Sequence, residues 1–235
     1  MFFDDHQRFA ESSSTSSNLR RLNLRHAAII DANRDILAGA RVLDIASHDG
    51  RWTCAALEAG ARHVTGVEPR PELVRHAQAN MRSYGHRDDS YAIIEADIFD
   101  VLKDPALSQQ HFGVVMCLGF LYHTLRYSEL LGGIRVLAPG HLVVDTAVIR
   151  HEDRFVRVGI DRTDKESAAA PNSLAHEGRM LVGRPSVAAL EMMLDLYGFT
   201  VEKYFDWQTL IAENPKSKAN AYGNGRRVTV RCTSR

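Results

Sequence analysis

Three acidic residues follow short apolar segments at nearly regular spacing in the first half of the chain. Asp44 lies in "RVLDIASHDG", Glu68 ends "HVTGVE", and Asp97 follows "YAIIEA". Carboxylates accept hydrogen bonds, so Glu68 suits the two hydroxyls of a ribose and Asp97 suits an exocyclic amine. We interpret the three acids as a binding site for a nucleoside that carries a positive group.

The turn that follows Asp44 is poor in glycine. A dinucleotide site has three glycines there, two of which let the backbone approach a pyrophosphate. The corresponding positions hold Ala46, His48 and Gly50, so a ligand without a pyrophosphate fits this turn better. We expect these three residues to contact the ligand, and we expect Trp52 either to cover the ligand or to lie in the core.

Short apolar runs alternate with amphipathic helical segments beyond residue 18, and the first helix is predicted over Leu19 to Leu37. The pattern predicts an α/β fold, namely a Rossmann-like, doubly wound, mostly parallel seven-stranded sheet with an antiparallel C-terminal strand. Residues 1–18 are Ser-rich and aperiodic, so we expect a mobile arm without core residues. Residues 19–235 are predicted to form a single domain with a polar lid insertion at about 150–185.

The composition limits the number of domains and the class of partner. The 235 residues are 45% apolar, which is enough for one sizeable core, and 29 basic residues balance 29 acidic ones. A formal charge of zero disfavours a nucleic-acid partner. Cys54, Cys117 and Cys232 lie far apart in apolar runs, so neither a disulfide framework nor a zinc site is predicted. The acidic start and the short apolar runs predict a cytoplasmic protein without a membrane partner.

From about Ile29 to Thr233 the sequence resembles the class I S-adenosylmethionine-dependent methyltransferases. The resemblance rests on Asp44, Gly50, Glu68 and Asp97, which match the family's positions in order. It implies that S-adenosylmethionine is the cofactor. The first-strand acid and its turn would hold the amino-acid part, the second-strand acid the ribose, and the third-strand acid the adenine.

Two later segments narrow the resemblance. "FGVVMCLGFLYHTLRYSELL" and "RMLVGRPSVAALEMMLDLYGF" are similar to segments of the tRNA wobble-uridine carboxymethyltransferase family and its methyltransferase relatives. In that family Leu-Tyr-His follows the fourth strand and lies near the transferred group. Ile98, beside Asp97, and Leu118, in the "CLGFLY" turn, complete the predicted cofactor contacts.

The catalytic candidates follow the fourth and fifth strands. Imidazole takes up a proton near neutral pH, so His123 is the candidate base for an attacking hydroxyl, with Tyr122 as a positioning group. A histidine of the later loop, such as His151, is the alternative base. Asp145 either orients His123, lines the acceptor pocket or simply closes its strand.

The polar insertion supplies the acceptor candidates. Glu152, His176 and Arg179, with Tyr222 near the C-terminus, offer donors and acceptors for a hydroxyl-rich ligand. As an alternative, Asp145, Glu152 and Asp153 would hold Mg²⁺.

These residues predict an O-methyltransferase for a small polar metabolite, most plausibly a sugar or oligosaccharide. The alternatives are methyl or carboxymethyl transfer to a tRNA wobble uridine, and a non-catalytic module that only binds the cofactor. The sequence leaves open whether the protein forms a homodimer.

Overall fold

The structure is a computed structural model, and it describes residues 1–13, 15, 18–170 and 172–235. The helices are α1 (Phe2–Asp5), α2 (Arg8–Glu11), α3 (Leu19–Ile29), α4 (Arg34–Leu37), α5 (Arg51–Glu58), α6 (Pro71–Ser83), α7 (Ile98–Val101), α8 (Pro105–Ser108), α9 (Tyr127–Val136), α10 (Val187–Leu196), α11 (Trp207–Glu213) and α12 (Asn220–Gly223). The strands are β1 (Arg41–Ile45), β2 (His63–Glu68), β3 (Tyr91–Glu95), β4 (Val114–Leu118), β5 (His141–Ala147), β6 (Val156–Arg162), β7 (Arg179–Pro185), β8 (Phe199–Tyr204) and β9 (Arg227–Ser234).

The main sheet has seven strands in the order β3-β2-β1-β4-β5-β9-β8. The first five in this order are parallel, and β9 runs antiparallel to both β5 and β8. This architecture confirms the predicted fold class. The strand order reverses between β1 and β4, and ligands of open α/β sheets bind beyond the carboxyl ends of the strands at such a point.

Strand β4 shows why its continuous apolar sequence forms a central strand. Its side chains alternate between the two faces of the sheet: Val114, Met116 and Leu118 join one apolar cluster, and Val115 and Cys117 join the other. All five are nearly inaccessible to solvent. Helices therefore cover both faces, as expected for a parallel sheet.

The N-terminal segment contributes to the core, which differs from the sequence expectation. Phe3 and Phe9 are fully buried. The Phe3 ring packs edge-on against Trp52 at a centroid distance of 5.6 Å, and the Phe9 ring lies 5.4 Å from that of Tyr84. The phenylalanines of this short polar stretch show neither helical nor strand periodicity, so the sequence pattern gives no sign of their burial.

The helix predicted over Leu19 to Leu37 is interrupted after Ile29. A short 3₁₀ turn, Asp31–Asn33, separates α3 from α4. The Asn33 side chain donates to the backbone carbonyl of Ile29 at 2.9 Å, and such side-chain bonds compete with the helical ladder.

The polar insertion contains a second, two-stranded sheet. Strands β6 and β7 pair antiparallel, with Val156 opposite Pro185 and Arg162 opposite Arg179. The loop between them returns toward the carboxyl edge of the main sheet. Among the described residues, no helix has both the length and the apolar character needed to span a membrane.

Candidate active site

A cavity of about 450 Å³ lies beyond the carboxyl ends of β1, β2, β3 and β4. The loop between β6 and β7 contributes Glu166 to Ala170 to its wall. The predicted site residues found in the lining are Ala46, His48, Trp52, Glu68, Asp97, Ile98, Leu118, Tyr122 and His123. Residues from four separate strand ends therefore converge on one cavity.

Glu68 is fixed at the wall of this cavity by two backbone donors. The N–H of His48 donates to Oε2 at 3.1 Å, and the N–H of Arg70 donates to Oε1 at 3.0 Å. Burial raises the pKa of this carboxyl, and the two backbone donors act in the opposite direction. Each carboxylate oxygen has lone pairs left for further donors, such as hydroxyls.

Asp97 also lines this cavity. It caps α7, because its Oδ1 accepts a hydrogen bond from the N–H of Phe99 at 2.9 Å. Its Oδ2 accepts no hydrogen bond from the described residues. The buried side chain of Ile98 adjoins it, so a flat, amine-bearing ring would meet a carboxylate and an apolar surface together.

Asp44 and Gly50, both predicted to contact the ligand, lie outside the cavity lining. The Asp44 Oδ2 accepts from Thr53 Oγ1 at 2.8 Å, its Oδ1 has no partner among the described residues, and burial raises the pKa of the group to about 7. Gly50 has φ of 81° at the start of α5, and a Cβ there would lie 3.1 Å from the Cβ of Ala77. This glycine serves helix packing.

The turn after β1 reaches the cavity through Ala46 and His48, whose φ angles are 56° and 57°. The ring of His48 lies between two acids, with Nδ1 3.3 Å from Asp49 Oδ1 and Nε2 3.1 Å from Glu166 Oε1. Burial lowers the pKa of His48, and the two carboxylates outweigh it, so the pKa is raised. Glu166 thereby connects the loop between β6 and β7, here called the lid loop, to the turn that follows β1.

Arg21, Arg25 and Arg227 also line the cavity and form a cationic wall. The Arg25 guanidinium lies 4.9 Å from the centre of the Trp52 ring. None of the described residues accepts a hydrogen bond from the Arg21 guanidinium. Burial lowers the pKa of Arg21, and the charges of Arg25 and Arg227 lower it further. The wall is therefore suited to an anionic group.

Asp145 supports this wall and does not contact His123. Its carboxylate, fully buried, pairs with Arg25 at 3.1 Å and with Arg227, and it accepts from the Tyr222 and Thr229 hydroxyls at 2.9 and 2.7 Å. Burial opposes ionisation, but the two arginines hold the pKa of Asp145 below its usual range. The predicted roles of Asp145 in orienting the base or lining the pocket are wrong.

The residue that contacts His123 is Asp161, on β6 of the insertion. The Nδ1 of His123 and the Oδ2 of Asp161 are 2.9 Å apart. This hydrogen bond lowers the pKa of Asp161. With a proton on Nδ1, the neutral ring keeps Nε2 as an acceptor. Tyr122 lies beside it, with ring centroids 4.1 Å apart.

The predicted acceptor residues lie elsewhere. Tyr222 is 2% exposed, stacks on Trp207 at 3.6 Å and is absent from the cavity wall. His151, Glu152, His176 and Arg179 are exposed and do not line the cavity. These assignments fail because Tyr222 packs in a separate apolar cluster with Trp207, and the other four side chains face solvent.

The Mg²⁺ alternative gains no support. Asp145 is fully buried and engaged by two arginines, whereas Asp153 is 85% exposed. The described residues contain no cluster of metal-ligating groups formed by Asp145, Glu152 and Asp153.

The sequence interpretation missed Asp161, Glu166 and the arginines of α3. The alternation in "VRVGIDR" is a strand signal that would have placed Asp161 on one face of a hairpin. No local signal identifies Glu166, because its role depends on how the loop folds back.

Comparison with known proteins identifies the domain. Residues 42–140 match the methyltransferase domain family. An S-adenosylmethionine-dependent methyltransferase from Mesorhizobium loti has 18% identity and a TM-score of 0.62, over 89% of this chain and 99% of that chain. The N-terminal domain of EvdMO1 with S-adenosylhomocysteine bound has 16% identity and a TM-score of 0.62, over 95% of this chain and 86% of that chain. No curated protein sequence matches the chain.

A third similar structure is a methyltransferase with a named substrate. The Burkholderia thailandensis 1,6-didemethyltoxoflavin-N1-methyltransferase has 18% identity and a TM-score of 0.56, over 89% of this chain and 76% of that chain. At these identities the solved structures establish a shared fold. Together with the match of residues 42–140 to the methyltransferase domain family, this fold supports methyltransferase activity.

Proposed function

We propose that the protein transfers a methyl group from S-adenosylmethionine to a hydroxyl of a small, polar, sugar-like acceptor. The observation that carries the proposal is that His123, which is hydrogen-bonded to Asp161, lines the same cavity as Glu68 and Asp97. One cavity thus combines a nucleoside-binding wall with a candidate base. S-adenosylmethionine, when bound, supplies an activated methyl group on a sulfonium.

The residues present fit this cofactor from end to end. Asp97 would accept from the adenine amine and Glu68 from the ribose hydroxyls, since both carboxylates line the cavity, and Ile98 would offer the ring an apolar surface. Arg21 and Arg25 would hold the carboxylate of the amino-acid part. The Arg21 guanidinium supports this assignment, because a partly buried cation that has no partner among the described residues is stabilised by an anion.

His123 would act as the base, and Asp161 would orient its ring. The Nε2 of His123 takes the proton of the acceptor hydroxyl as its oxygen attacks the methyl carbon, and the Asp161 carboxylate stabilises the resulting imidazolium. Asp161 also accepts from the N–H of Ala169 at 3.3 Å, so the lid loop and the base are held by the same carboxylate. Tyr122 limits the approach of the acceptor.

The acceptor is small because the lid loop forms part of the cavity wall. Glu166 to Ala170 and Asn172 line the cavity, so this loop would restrict the entry of a large substrate. The arginines that line the cavity are engaged by Asp145, by Asp49 and by lid carbonyls, or face the cofactor's carboxylate. These features support a small metabolite, and not a tRNA, as the methyl acceptor.

The experiment measures transfer of labelled methyl to mono- and oligosaccharides and to bulk tRNA. We expect transfer to a sugar hydroxyl and none to tRNA. Transfer to tRNA alone would overturn the proposal and favour the wobble-uridine alternative.

The role of the base is tested with His123→Ala. We expect turnover to fall on the order of 10² to 10⁴ while cofactor binding is retained, because only the proton transfer is lost. His176→Ala is the control, since that histidine is exposed and lies outside the cavity. Equal turnover in the His123→Ala variant and the wild type would remove His123 from the mechanism.

A further inference from the structure

Four side chains with metal-binding atoms meet at a place remote from the cavity lining. His6 follows α1, Cys54 and Glu58 lie on α5, and His86 follows α6. The Glu58 Oε1 lies 2.6 Å from His6 Nε2, 3.9 Å from Cys54 Sγ and 3.9 Å from His86 Nε2. The Cys54 Sγ lies 3.2 Å from His86 Nε2. None of these residues lines the active-site cavity.

Four of the six separations between these atoms lie close to those of a tetrahedral site. Zinc binds sulfur at about 2.3 Å and nitrogen or oxygen at about 2.0 to 2.2 Å, so tetrahedral ligands lie about 3.3 to 3.6 Å from one another. The four observed separations, 2.6 to 3.9 Å, bracket this range. His6, Cys54 and Glu58 already form a group whose ligand atoms all lie within 4.8 Å of one another.

The hydrogen bonding of His6 also favours a cation. Its Nδ1 lies 2.8 Å from the backbone carbonyl of Phe2, which can only accept, so Nδ1 carries a proton. In the neutral ring, Nε2 then presents a lone pair to the Glu58 carboxylate at 2.6 Å. Two lone pairs at this distance require a proton or a metal ion between them. Ligating histidines commonly donate their other N–H to a carbonyl in this way.

From this geometry we propose that His6, Cys54, Glu58 and His86 bind one zinc ion. A thiolate, two neutral imidazoles and a carboxylate form the mixed sulfur, nitrogen and oxygen set that zinc accepts. Binding forms a Zn–S bond and releases the Cys54 thiol proton to solvent. The two negative ligands then balance the charge of Zn²⁺.

Such an ion would fasten the N-terminal segment to the body of the domain. That segment continues to the active site, where Ser12 Oγ donates to Asp49 Oδ2 at 2.8 Å and the Arg51 guanidinium donates to the carbonyl of Phe9 at 3.1 Å. The zinc site would thus hold the beginning of the N-terminal segment, and the turn after β1 holds its end.

The test measures zinc directly. The full-length protein is stripped with a chelator, exposed to Zn²⁺, freed of excess metal and analysed for bound zinc. Cobalt replacement adds a spectroscopic readout, since a sulfur-to-cobalt charge-transfer band reports ligation by a thiolate. We expect one equivalent of zinc and a raised melting temperature for the wild type.

The test variant is Cys54→Ala. Cys232→Ala is the matched control, because both cysteines are fully buried and only Cys54 has the other ligands beside it. Cys54→Ala should abolish the cobalt band and lower zinc affinity at least about tenfold. If Cys54→Ala does not fold, His86→Asn serves, with the same expected loss of affinity. A wild type that retains no zinc, or a Cys54→Ala or His86→Asn variant that binds it as tightly, overturns the proposal.

Discussion

At the scale of single residues, the chain keeps the carboxyl of Asp44 buried with only one of its two oxygens hydrogen-bonded. Burial raises the pKa of Asp44 from 3.8 to about 7. The folded state therefore retains a proton that the unfolded state releases, so the stability contributed by Asp44 is complete below about pH 3.8 and is lost as the pH rises toward 7.

Asp44→Asn removes this dependence and keeps an oxygen for the Thr53 hydroxyl. We expect the variant to gain stability relative to the wild type as the pH rises from about 4 to about 7, by roughly 1 to 4 kcal/mol. Urea unfolding at several pH values measures the difference. A difference that stays constant over this range would show that the Asp44 carboxyl titrates normally.

Arg21 provides the second prediction at this scale. Arg21→Gln should weaken binding of S-adenosylhomocysteine about 10- to 100-fold, because a charge-assisted hydrogen bond to its carboxylate is lost. The protein without ligand should be at least as stable as the wild type, since the repulsion from Arg25 and Arg227 is relieved. Calorimetry checks the affinity.

Arg20→Gln is the control for Arg21, because Arg20 is exposed on the same helix. Equal loss of affinity for S-adenosylhomocysteine in both variants would indicate a general effect of positive charge on binding. Unchanged affinity in Arg21→Gln would place the cofactor's carboxylate elsewhere.

At the scale of elements, the lid loop is fastened by Arg70. Its guanidinium donates to the carbonyls of Lys165, Ala168 and Ala169 at 2.8, 3.4 and 3.2 Å. Arg70→Ala should open this loop, since the hydrogen bonds disappear while the backbone N–H that holds Glu68 remains. We expect faster hydrogen exchange in residues 163–170 and faster dissociation of the cofactor.

The matched control for Arg70 is Arg75→Ala, an exposed arginine of α6. Protection of the loop in Arg75→Ala should equal that of the wild type. A loop that is equally protected in Arg70→Ala would show that the His48 and Glu166 contact is sufficient to hold it.

The elements of the main sheet were predictable because each satisfies a local rule. The apolar run of β4, and the initial proline and helical period of α6, each specify their own structure, and Glu68 and Asp97 follow from the ends of their strands. Asp161 and Arg21 were not predictable in the same way. Their roles depend on contacts between segments far apart in the sequence, which periodicity does not encode.

At the scale of the whole molecule, a chain with no net charge still builds sites of strong local charge. Asp49 and Asp145 are fully buried with Arg51, Arg25 and Arg227 around them. The neutral total was the basis for disfavouring nucleic acid, yet it conceals the cationic wall of the cavity. Net charge therefore limits non-specific partners and gives no information on the interior of a site.

The central claim is that the cavity at the carboxyl edge of the sheet binds the cofactor through Glu68. Titration calorimetry with S-adenosylhomocysteine, on the wild type and on Glu68→Ala, tests it most directly. We predict binding to the wild type and a loss of roughly 1 to 3 kcal/mol in the variant, about 5- to 150-fold in affinity. No heat with the wild type, or equal affinity in both proteins, would contradict the account.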